Sequence, residues 1–92
     1  MDLEKIKEKC AEIAKAFSEG KTPQEIADMF QPEHVWDDND DPDYVYYMTD
    51  FLDLGFGINF VKYASGGDKW WWENDDEIYL IESEEWIHWK EL

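Results

Sequence analysis

The first twenty residues repeat their apolar positions at helical spacing. Leu3, Ile6, Cys10, Ile13, Ala14 and Phe17 recur every three or four residues, which predicts an amphipathic helix over residues 2–19. Lys5, Lys7, Lys9 and Lys15 alternate with Glu4, Glu8 and Glu12 on its outer faces, at separations that favour ion pairs along a helix. Gly20 is a suitable stop. Thr22-Pro23-Gln24-Glu25 then spells a capping box with proline at the first helical position. A second, short helix with Ile26, Ala27, Met29 and Phe30 on its apolar side is expected to end at Pro32. Asp41-Pro42-Asp43 repeats the cap-proline-acid signal and predicts a third helix over residues 42–54, ending near Gly55. Tyr44, Met48, Phe51 and Leu52 would form its apolar side. The β-favouring run Tyr44–Tyr47 keeps an edge strand as the alternative.

From Phe56 the period shortens to two. Ile58, Phe60 and Ala64 alternate with Asn59, Val61 and Tyr63, the pattern of a strand. Ser65-Gly66-Gly67 signals a hairpin turn, Lys69–Glu73 the return strand and Asn74-Asp75-Asp76 a second turn. Glu77–Glu82 reads as a third strand, with Ile78 and Leu80 on one face and Tyr79 and Ile81 on the other. Trp86–Lys90 reads as a fourth strand or a terminal helical turn. The expected class is α+β: two or three N-terminal helices packed on a C-terminal antiparallel β-meander of three to four strands, in one domain over residues 1–92.

Charge changes this picture more than overall composition does. The 92 residues carry 24 acids against eight bases, all lysine, for a net charge of −16. With no arginine and no basic cluster, phosphate recognition is disfavoured, so neither direct nucleic-acid binding nor an anionic membrane is expected. So acidic a chain is steered toward cationic partners. The acids are also unevenly placed. Residues 1–21 hold five acids and five lysines, residues 22–61 ten acids and no lysine, and residues 62–92 nine acids and three lysines. The single cysteine, Cys10, excludes an intrachain disulfide. No leader pattern or apolar span is present, so a reducing cytoplasm is the expected setting.

The candidate binding residues follow from that distribution. Glu33, Asp37, Asp38, Asp40, Asp41 and Asp43 surround Trp36. Turns and caps account for one or two aspartates; five in seven residues exceed that need. On a helix over 42–54, Asp43, Asp50 and Asp53 share one side, about 10 Å and about 4.5 Å apart along the axis. Such carboxylate rows could enter a groove shaped for phosphates, which recur about every 3.4 Å along a DNA strand. Trp70-Trp71-Trp72 is the other candidate feature. In a strand, Trp70 and Trp72 share one face and Trp71 takes the other. The run is either packing or an exposed anchor for a protein or glycan.

Other chemistry fits less well. Asp37, Asn39 and Asp41 match the first ligands of a calcium loop, but Pro42 stands where glycine is required and Met48 where the bidentate glutamate belongs. One cysteine and two histidines, distant in sequence, do not make a zinc site. Thr22–Phe30 is similar to the first helix of a helix-turn-helix reader, but the segment after it carries acids instead of basic or amide readers. No nucleophile has a convincing base beside it. No enzyme activity, metal or cofactor is expected.

In size, in charge and in the cation-free stretch Glu25–Asp53, the chain resembles small acidic inhibitors carried by phages and mobile elements. These include DNA-mimic anti-restriction proteins, anti-CRISPR proteins and, similarly, nuclease immunity proteins. The resemblance implies a stoichiometric inhibitor whose acidic, nucleic-acid-mimicking surface blocks the cationic DNA- or RNA-binding site of a bacterial defence effector, such as a CRISPR or restriction effector. The alternatives are a protein- or glycan-binding module using an exposed tryptophan face, with Trp71 or Trp72 as anchor, and a structural or accessory protein whose acidity serves solubility alone.

Overall fold

The architecture is α+β: two N-terminal helices followed by a six-stranded antiparallel sheet. The computed structural model describes residues 2–92; Met1, counted in the expected domain, lies outside the described residues. Helix α1 spans Leu3–Ser18, and the Asp2 carboxylate caps it by accepting from the Lys5 N–H at 3.2 Å. Helix α2 spans Pro23–Phe30 and carries the capping box in both directions. Thr22 Oγ1 accepts from the Glu25 N–H at 3.2 Å, and Glu25 Oε1 accepts from the Thr22 N–H at 3.1 Å. The bond from the Thr22 backbone holds the Glu25 carboxyl below the usual carboxylate range.

The ion pairs expected along α1 do not close. Among the described residues, the pairs within 4.0 Å are His34–Asp50 and His88–Glu77. An exposed pair gains little against the entropy of two long side chains, and Lys9 instead lies over the Phe30 ring at 5.3 Å.

The strands are β1 (His34–Asp38), β2 (Tyr44–Phe51), β3 (Phe56–Tyr63), β4 (Trp71–Trp72), β5 (Glu77–Leu80) and β6 (Glu85–His88). Their order is β1-β2-β3-β5-β6. β2 pairs with β3 along its whole length, so β4 and β5 share the other edge of β3, opposite Phe60–Val61 and Phe56–Gly57 respectively. Between them, Asn74, Asp75 and Asp76 form a tight turn with positive φ of 53°, 56° and 73°, a region that Asn and Asp tolerate better than other side chains. β6 leads into a short 3-10 turn, Trp89–Glu91, so the last segment combines both expected forms.

The third helix expected over residues 42–54 is strand β2, and the acidic segment before it contributes β1. These two additions raise the expected three to four strands to six. The misleading signal has a physical origin. Asp41 Oδ1 accepts from the Asp43 N–H at 2.8 Å and the Tyr44 N–H at 3.2 Å. These are the bonds of a helix cap, used here in a turn that opens a strand. The run of β-branched and aromatic side chains then favours pairing.

Burial alternates along the paired strands. Tyr47, Thr49 and Phe51 on β2, with Phe56, Ile58 and Phe60 on β3, face the helices. They meet Ile6, Cys10 and Ile13 of α1 and Ile26 of α2, with Trp72, Ile78, Leu80 and Trp89 completing the core. Tyr47 Oη donates to Gln24 Oε1 at 3.1 Å, and Phe17 lies against Phe60 with ring centroids 5.2 Å apart. Burial pushes the Cys10 thiol pKa up to about 12, so this group is inert packing at neutral pH. No helix among the described residues is long and apolar enough to cross a membrane.

Candidate functional site

The helices cover one face of the sheet and leave the other open. Alternation decides what the open face carries. β1 contributes His34, Trp36 and Asp38; β2 contributes Tyr44, Tyr46, Met48 and Asp50; β3 contributes Gly57, Asn59, Val61 and Tyr63. By register, Trp71 of β4 and Glu77 and Tyr79 of β5 join them, with Trp86 and His88 of β6. Seven aromatic residues therefore share a face that no other element among the described residues covers. They form two groups. Tyr44, Tyr63 and Trp71 touch one another at centroid separations of 5.0–6.3 Å, with Tyr46 6.4 Å from Tyr44. Val61, 3% exposed yet outside the main core, lies in register between Tyr46 and Trp71 beneath this group. At the other end, Trp36 stands across a groove from Tyr79 and Trp86, whose rings are 5.2 Å apart. Trp36 and Trp86 are 48% and 44% exposed, more than packing requires.

Carboxylates border these rings. Asp50 Oδ2 accepts from Trp36 Nε1 at 3.2 Å and lies 4.0 Å from His34 Nδ1. Glu73 Oε2 accepts from Asn59 Nδ2 at 2.9 Å. Burial, then Glu73, Asp41, Tyr44 and Asp38, raises the Tyr46 pKa. On the covered side, burial followed by Asp28 and Asp37 raises that of Tyr47. Among the described residues, no lysine pairs with a carboxylate within 4.0 Å. Lys9, Lys62 and Lys90 instead sit over Phe30, Trp70 and Trp89, all away from the open face.

The structure divides the expected site residues into three sets. Trp36, Asp38, Asp50 and Trp71 belong to the open face. Asp40, Asp41 and Asp43 lie in the β1–β2 loop, where Asp38 Oδ1 accepts from the Asp40 N–H at 3.0 Å. Asp38 and Asp41 thus have turn-forming work as well as charge. Asp37 takes the covered side beside Tyr47, Glu33 precedes β1, and Asp53 lines a recess with Lys5, Lys9 and Phe30 against α1. The single row Asp43–Asp50–Asp53 is therefore corrected. In a strand, Asp43 and Asp50 are about 23 Å apart along the chain, and Asp53 lies on the helix side. The tryptophan run divides as expected, with Trp72 and Trp70 on the covered side and Trp71 opposite. Tyr79, Trp86, Asn59 and Gly57 were missed as site residues. Their period-two spacing signalled them, but only once β2 was paired as a strand.

No three His, Cys, Asp or Glu side chains among the described residues converge as metal ligands. No protein-family model matches the chain, and neither a curated protein nor a solved structure shows detectable similarity to it.

Proposed function

We propose that the protein is a stoichiometric inhibitor that occupies a cationic surface of a nucleic-acid-binding protein, such as a bacterial defence effector, through the open sheet face and the β1–β2 loop. The observation that carries this reading is the set of carboxylates along that surface left unneutralised by any lysine within 4.0 Å among the described residues. In such an interface the charges would set the association rate and its salt dependence, while the flanking rings would supply buried anchor area. The test is capture from nuclease-treated bacterial lysate with the tagged chain. Salt or added DNA should release a nucleic-acid-binding protein. The variant Asp38→Asn, Asp40→Lys, Asp41→Asn, Asp43→Lys keeps the turn acceptors while reducing negative charge. It should weaken capture at low salt by on the order of tenfold or more. Undiminished, salt-resistant capture would overturn the charge mechanism.

The seven aromatics of the open face favour a second reading, a protein- or glycan-binding module. On that reading Trp71→Ala impairs binding more than the charge variant does, and salt has little effect.

A further inference from the structure

Gly57 leaves a gap at the centre of the open face. A Cβ there would collide with Asp50 Oδ1, so the absent side chain lets the carboxylate turn over the floor of the groove. The depression, about 250 Å³, is smaller than the pockets that hold drug-sized ligands and suits the end of one side chain. Trp36 forms one wall, and Tyr79 and Trp86 the other.

The hydrogen-bonding capacity of the floor is mainly that of an acceptor. Trp36 Nε1 is committed to Asp50 Oδ2, and Asn59 Nδ2 gives one of its two N–H groups to Glu73, where only the amide nitrogen can donate to a carboxylate. Asp50 Oδ1 and Asn59 Oδ1 remain as acceptors without a donor among the described residues. A ligand that fits must donate, carry positive charge and tolerate flat aromatic walls. Three lysines already sit over other rings, and among the described residues none sits over these.

Resting on the proposed cationic partner, the geometry points to this groove as the receptor for one arginine side chain of that partner. The guanidinium lies between the Trp36 and Trp86 walls and donates to Asp50 Oδ1 and Asn59 Oδ1. A guanidinium offers five donors and no acceptor, stacks on aromatic faces and sheds its hydration more readily than an ammonium. Stacking adds to the charge pairing in a partly desolvated slot.

The test uses the full chain, with indole N–H signals followed by NMR and assigned through Trp36→Phe and Trp86→Phe. N-acetyl-arginine amide should shift both signals saturably and leave the core indoles of Trp72 and Trp89 in place. N-acetyl-lysine amide should need about tenfold more, and the uncharged citrulline analogue should give no saturable shift. Asp50→Asn and Gly57→Ala should each abolish the response, with unmoved core signals reporting an intact fold. Absence of a saturable shift with the arginine probe, an equal response to citrulline, survival of the response in Asp50→Asn, or saturation by methyl glucoside instead would overturn the assignment. The probe is independent of any captured protein. Failure here alongside salt-sensitive capture would remove only the groove, whereas salt-resistant capture would remove the charge reading and leave the groove to the titration.

Discussion

On β3, Phe56, Ile58 and Phe60 enter the core, while Gly57, Asn59 and Tyr63 turn toward the open face. Successive residues of one strand thus meet opposite demands. The covered face encloses mainly apolar side chains, with Thr49 as its buried polar member, and its hydroxyl donates to the Ile58 carbonyl at 3.3 Å. The open face mixes large rings with carboxylates, an amide and a glycine. Strands of a sheet that has one solvated face usually place polar groups outward. Here the outward set is aromatic and acidic, a composition that supports the proposed contact surface. The high aromatic content is therefore split between two surfaces. Trp72, Phe60 and Phe56 hold the fold together, whereas Trp36, Tyr63 and Trp86 stay exposed.

Stability measurements on single variants give the sharpest test of that division. Phe60→Ala, in the covered layer, should cost about 3–5 kcal/mol in urea unfolding. Trp36→Ala, across the sheet, should cost about 1 kcal/mol or less while removing the groove's response to the arginine probe. Similar losses from the two would erase the distinction between the covered and the open face.

A pH series probes thiol and hydroxyl groups on both faces. The Cys10 thiol is held protonated up to about 12, and the Tyr46 and Tyr47 hydroxyls are also shifted upward, chiefly by burial. The unfolded chain releases these protons first. The stabilisation is therefore complete below the ordinary thiol pKa and is lost as pH rises toward the folded values. Unfolding free energy should fall from about pH 9 by on the order of 1 kcal/mol per pH unit from the thiol alone. Cys10→Ala should flatten the slope between about pH 9 and 10, before the tyrosines contribute. Thiol labelling at neutral pH should require unfolding.

Smaller effects separate structural from free aspartates in the loop. Asp41→Lys loses two backbone acceptor bonds and should cost about 1 kcal/mol, whereas Asp41→Asn should retain most of that stability. Asp40→Lys should stay within about 0.5 kcal/mol. Equal losses at positions 40 and 41 would contradict the turn assignment.

Much of the fold was legible in the chain. The helical period and capping box located α1 and α2, the period-two run located β3, and the glycine and Asn-Asp turns located the later strands. The third helix failed because a cap-like aspartate and proline preceded a segment whose neighbours, invisible to local pattern, offered strand partners. That single pairing reassigns the site. It separates Asp53 from Asp50, sends Asp37 to the covered side and gathers Trp36, Tyr79 and Trp86 around Gly57.

Local sequence, then, determined the α+β class, the helix ends and the cation-free middle, because capping bonds, periodicity and charge act over a few residues. Tertiary structure decided which acids and rings share a surface. Register between strands distant in the chain puts Trp36 of β1 and Trp86 of β6 on the same open face, and no local spacing encodes it.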